Sequence, residues 1–174
     1  MTIKKQKWGY EMKKILVSTL IAIMVGATLT GCGNKNIGNA SKVEQASSVS
    51  AKEVVEKLNE EGYFMMPIIV DDQTASDIYH LNLDDIVDYG ILTPGVTAQQ
   101  DVIAVVKAKE GKIDDVKASL EEYVQDLLAG HLYPIYMEAA ENAKIEVNGD
   151  LVSLFIVRSD IKNDVEAKYE ELIK

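Results

Sequence analysis

Residues 15–29 of the chain, ILVSTLIAIMVGATL, run without a single charge, and this stretch decides how much of the sequence is left to fold. Lys13 and Lys14 stand directly before it. A helix that crosses a membrane needs about 20 apolar residues, so the run is short for a permanent span and has the length of a secretory signal core. Residues 1–31 are therefore expected to be a signal peptide. Met12-Lys13-Lys14 would itself make a compact signal start, which leaves residues 1–11 with no necessary role. The fold has to come from residues 32–174.

Leu29-Thr30-Gly31-Cys32 resembles the bacterial lipobox: an aliphatic residue, two small ones, then cysteine. A thiolate is the nucleophile that takes a diacylglyceryl group, and small residues ahead of it let a membrane protease approach the backbone. The expectation is that Cys32 becomes the lipidated N-terminus and that the membrane is a partner through that group. Stable anchoring takes two acyl chains, each buried methylene contributing ~0.8 kcal/mol, and a diacylglyceryl group supplies both. The protein would then sit on the outer face of the cytoplasmic membrane. Cys32 is the only cysteine in the chain. The rest can form no internal disulfide and no thiolate metal cluster, and must be stabilised by its core.

Five lysines but only one acid, Glu11, fall in residues 1–31; residues 32–174 keep 13 basic and 27 acidic side chains, a formal −14. Such a surface repels phosphate backbones and excludes nucleic acid as a partner. Residues 32–50, polar and small, read as a flexible tether. Residues 51–174 are left as one domain.

Ser50 with Glu53 forms a capping box that opens a helix through Glu61, with Val54, Val55 and Leu58 on one side and Gly62 as its stop. In YFMMPIIVDD, Pro67 marks an edge strand or an extended segment packed on the core. Asn82 can cap a short helix with Leu83, Ile86 and Val87 inward, ended by Gly90. GILTPGV is a short strand, and DVIAVVKAK is β-branched enough for a central one. From residue 112 to 129, Ile113, Val116, Leu120, Tyr123, Val124, Leu127 and Leu128 recur at helical spacing, and Gly130 ends that helix. Pro134 suits the first turn of another helix, running to about Ala143. KIEVNGDLVSLFIVRS is a hairpin with Asn148-Gly149 as a type I′ turn. Asp160 or a neighbour caps a last helix carrying Val165 and Tyr169. This order predicts an α+β fold: an antiparallel sheet of about four strands, helices packed mainly on one face.

Tyr89-Gly90-Ile91, the strand at 102–107, the amphipathic helix, Tyr133-Pro134 and the strand at 154–159 together resemble a family of small Gram-positive lipoproteins from Firmicutes, catalogued as a domain of unknown function. The resemblance spans about residues 80–173. It implies a secreted, anchored domain with an acidic residue just before the first strand, where Asp101 stands. It brings no catalytic residues.

No nucleophile elbow of the G-x-S-x-G type occurs. His80 and His131 are too far apart for a helical metal pair and suit capping or surface roles. Asp84, Asp85 and Asp88, with Asp71, Asp72 and Asp77, form the densest acidic region. They are weak metal candidates, since the spacing fails the EF-hand order, and a solvated acidic face is the expectation. Arg158, the one arginine, stands near a strand end, where a salt bridge to a neighbouring acid is expected and an anion site is the alternative. Tyr133 and Tyr136, with Tyr63 and Phe64, would mark an interface if exposed together. No cofactor is expected. The expectation for function is a non-enzymatic binding or accessory module for an envelope protein, peptide or small ligand. A small cell-envelope hydrolase using carboxylates, with or without a divalent ion, is the alternative.

Overall fold

A computed structural model describes residues 48–174; Leu29, Thr30, Gly31 and Cys32, the possible start at Met12 and most of the tether lie outside the described residues. The first helix, α1 (Ala51–Glu60), opens at Ser50, whose hydroxyl accepts from the Glu53 amide. The chain leaves it through Gly62, at φ +73°. Strand β1 (Pro67–Ile69) is followed by the short helix α2 (Asp72–Asp77), capped by the Asp71 carboxylate on the Thr74 amide. A single 3-10 turn at Leu83–Asp85, capped by Asn82, leads into β2 (Ile86–Pro94). Then come β3 (Val102–Ala108), α3 (Ile113–Ala129), α4 (Pro134–Glu141), β4 (Lys144–Asn148), β5 (Leu151–Ile156) and α5 (Lys162–Leu172).

The strands form one antiparallel sheet in the order β1-β2-β3-β5-β4. The α+β expectation holds, with a fifth strand present. Helices cover both faces rather than mainly one. The reason lies in β3 and β5, where nearly every residue is buried whichever way it points. On one face Ala104, Val106, Leu154 and Ile156 meet Ala75, Leu120, Val124 and Ala140, from α2, α3 and α4. On the other, Ile103, Val105, Leu151 and Phe155 meet Val54, Val55 and Leu58 of α1 and Val165 and Tyr169 of α5. Two apolar faces require two covers.

Three local expectations are corrected. The helix foreseen from Asn82 to Gly90 stops after one turn, and Ile86 to Gly90 is strand, hydrogen-bonded along β3 with a bulge at Val87. The spacing of Leu83, Ile86 and Val87 mimics a helix, but pairing with β3 overrides it. The β4–β5 turn is Gly149-Asp150, because Asn148 pairs with Leu151. Gly149 alone has positive φ (+62°) while Asn148 and Asp150 do not, the pattern of a type II′ rather than a type I′ turn. Finally, α5 starts from Ile161 without a side-chain cap, and Asp160 lies instead 3.7 Å from Arg158.

Gly90 is where α1 lies flush on the sheet. A Cβ there would stand 2.7 Å from the Val55 Cβ and 3.2 Å from the Lys52 Cα.

Candidate functional site

Two polar constellations stand out, one at a strand end and one at a sheet edge. At the strand end, Asp101 is fully buried just before β3. Its Oδ1 accepts from the Arg158 amide at 2.8 Å, and its Oδ2 accepts from Arg158 Nε at 3.1 Å and Gln99 Nε2 at 2.8 Å. Gln99 Oε1 in turn accepts from the Met65 amide at 2.9 Å. The Met65–Gln99–Asp101–Arg158 chain thus ties the root of β1 to the start of β3 and the end of β5. Arg158 is engaged through its amide and its guanidinium together, so it makes the expected salt bridge and is not an open anion clamp. Tyr136 is buried near the same group, its hydroxyl pushed up first by burial and then by the Asp101 charge. Tyr133, by contrast, is exposed. Phe64 is core and Tyr63 half-buried, so these aromatics form no common exposed patch.

The acidic residues separate. Asp85 binds Lys112 Nζ at 3.1 Å and Asn82 Nδ2 at 2.9 Å. Asp88, beyond the bulge, turns to α1 and accepts from the Ser50 hydroxyl at 2.6 Å. The strand that replaced the expected helix is what parts Asp88 from Asp84 and Asp85. Among the described residues no three His, Cys, Asp or Glu side chains are placed to hold a metal ion. His80 reaches across to Asp126 of α3 at 2.9 Å.

At the sheet edge the residues converge on a groove of about 640 Å³, walled by Lys52, by the segment from Ile69 to Gln73, and by Val87, Asp88 and Tyr89. It exists because β1 is short. The Val70 amide donates to the Ile91 carbonyl at 2.9 Å, after which Asp71 caps α2 and the chain turns onto the α3 face. In an antiparallel ladder both backbone groups of a residue point to one side and alternate along the strand. The Ile91 carbonyl faces β1, so Tyr89, two residues back, turns its amide and carbonyl the same way, past the point where β1 ends.

The side chains around this edge are apolar and acidic. Met65, Met66, Ile68, Ile69, Ile78 and Val87 are all exposed, Met66 at 71% and Val87 at 61%. Met66 also holds a left-handed φ of +47°, a conformation that costs a residue with a Cβ roughly 1–2 kcal/mol. Asp72 accepts from the Tyr89 hydroxyl at 2.6 Å. Burial first, then Asp72 and the charge of Asp71, push the Tyr89 hydroxyl well above its ordinary range, so it stays a donor. The Thr74 amide draws the Asp71 carboxyl below its usual value, so it stays ionised. Sequence reasoning found Pro67 as an edge marker but missed this apolar rim. The run FMMPII held the signal, since an apolar run at an edge has one side with nothing to bury against.

The fold and this groove define an α+β domain built on one antiparallel sheet, guarded by helices on both faces and open along one edge. Residues 65–157 match the family described as a domain of unknown function, DUF4358, and the chain belongs to that family. The match begins at the open edge, earlier than residue 80, and ends before α5. No curated protein and no solved structure matches the chain.

Proposed function

We propose that the protein is a lipid-anchored, extracytoplasmic binding module that presents its open sheet edge to a protein or peptide of the cell envelope. The observation that carries the reading is the set of exposed apolar residues at the open edge, Ile68 and Ile69 of β1 and Val87 of β2, with Ile69 and Val87 lining one groove, since exposed apolar residues at an unguarded edge mark an interaction surface. The Leu29-Thr30-Gly31-Cys32 motif supports the anchor. Ser50 stands eighteen positions after Cys32, which limits the span between them to ~60 Å at full extension. Ser50 is bonded to Asp88, so the groove stands at the root of that tether.

The carboxylate-hydrolase reading draws support from Asp71, Asp72 and Asp88 sharing one groove. Against it, Asp71 caps α2, Asp72 holds Tyr89 and Asp88 holds Ser50. No pair of these three is left free to act as acid and base. Two experiments test the proposal. In cells fed a radioactive fatty acid, the native chain takes up label and a Cys32→Ser chain does not; equal labelling overturns the anchor. Purified full chain shows no turnover of wall, peptide or ester substrates, with or without divalent ions. Turnover that disappears in Asp72→Asn overturns the binding reading in favour of the hydrolase.

A further inference from the structure

We infer that the stretch of β2 left uncovered by β1 is a strand-addition site for an extended peptide rich in lysine or arginine side chains. This rests on the open edge being the partner surface, and it names the class of partner. Beside Tyr89 the sheet offers an outward amide and carbonyl in the line that β1 has vacated, and a groove of about 640 Å³ lies along it. An added strand makes main-chain bonds there, and its alternate side chains fall on opposite faces of the sheet. Ile69 shares the face of its partner Leu92, the α1 side. Tyr89, with Asp72 bonded to its hydroxyl, shares the face of Ile91. Asp88 lies on the α1 side, bonded to Ser50, and Asp72 lies with Tyr89 on the other, so both sets of side chains of an added peptide meet a carboxylate.

Charge selects the occupant. The groove is lined by Asp71, Asp72 and Asp88 against the single cation Lys52, on a domain whose residues 32–174 carry a formal −14. A second copy of this chain would bring the same acidic groove and the same net charge to the contact, and like charges brought together oppose pairing. A basic strand reverses that sign.

The test uses the full chain in detergent micelles and fluorescence anisotropy with three labelled octapeptides. One alternates lysine and valine, one alternates glutamate and valine, and the third is the lysine peptide methylated on every amide nitrogen. The lysine peptide binds at least about tenfold more tightly than the glutamate one. The methylated peptide, equal in charge, does not bind, because it has lost its main-chain donors on both edges. The double variant Asp71→Asn, Asp72→Asn keeps a side-chain oxygen for the α2 cap and for Tyr89, melts at the native temperature, and binds about tenfold more weakly. Val87→Lys abolishes binding without unfolding the chain.

Equal binding of the methylated peptide overturns strand addition. Equal binding of the glutamate peptide, abolished by Val87→Lys, overturns the basic class and leaves the edge as the partner surface. If neither peptide binds, this inference fails, and the edge reading is decided separately by cross-linking from the two sheet edges. Dimers that form in sedimentation and dissolve in Val87→Lys give the edge to a second copy and overturn the basic peptide.

Discussion

The two edges of the sheet are built on opposite principles. At β4, Lys144 stands in the strand with its ammonium 2.8 Å from Glu146 and 3.0 Å from Glu166, which reaches over from α5. Charges with fixed partners along an edge discourage a further strand. At β1 the edge carries Ile68 and Ile69 instead, ends after three residues, and leaves part of β2 without a neighbour. Both edges belong to one sheet that carries an apolar core on each of its faces. That contrast, charge at one edge and apolar side chains at the other, is what supports the proposed partner surface.

The largest expected effect concerns how the open edge is held. Asp101→Ala removes the acceptor that joins Arg158 and Gln99, and through Gln99 the Met65 amide. The loss is about 3 kcal/mol, at the lower end for breaking a buried ion pair, because Arg158 keeps partial access to water. Chemical denaturation measures it. Hydrogen exchange then shows β1 amides speeding up more than those of β4; equal acceleration at both edges would remove the assigned link to β1.

Alkali separates the edges next. Tyr79 and Tyr123, whose rings lie 4.3 Å apart, belong to the core face on the open side, and Tyr123 lines a cavity with Ile68. Tyr169 packs edge-on to Phe155 and shares a 2.6 Å hydrogen bond with Ser153, next to β4. Burial is the first cause that raises all three hydroxyls above the usual value, which is ~10. A raised folded pKa leaves stability intact below the unfolded value and erodes it as pH climbs from there toward the folded one. Stability therefore declines above about pH 10. Tyr123→Phe and Tyr169→Phe each remove a separate part of that decline, read from melting temperature against pH. A decline that begins well below pH 10 would contradict this origin.

The smallest effect on stability comes from unguarding the closed edge. Lys144→Met changes stability by no more than about 1 kcal/mol, since the pair is only partly screened from water. It also leaves β4 without its cation, so the variant self-associates in sedimentation where the native chain does not. A variant that stays as dispersed as the native chain would show that charge is not what keeps this edge closed.

Much of this architecture can be read from the residues. Ser50 and Gly62 bound α1, the 3.6-residue recurrence from Ile113 marks α3, Pro67 marks an edge, and the β-branched run after Asp101 marks the central strand. The stretch from Ile86 to Gly90 is not legible, because its apolar spacing fits a helix and only pairing with β3 decides against it. The hairpin is legible but its turn is not, since a one-residue change of register moves the turn from Asn148-Gly149 to Gly149-Asp150. The groove is least legible of all. It joins Ile69–Gln73 to Val87–Tyr89, segments that meet only because Pro67 pairs with Pro94 and the chain turns away at Asp71.

The unequal edges are tested most directly by a photoreactive amino acid placed at Val87 in one full-length chain and at Val147 of β4 in another, both positions being exposed. In irradiated cells the Val87 chain forms a discrete adduct with an envelope protein or peptide, and the Val147 chain forms none. Adducts from Val147 equal to those from Val87, or none from Val87 while the chain remains at the membrane, would contradict the assignment of the open edge as the partner surface.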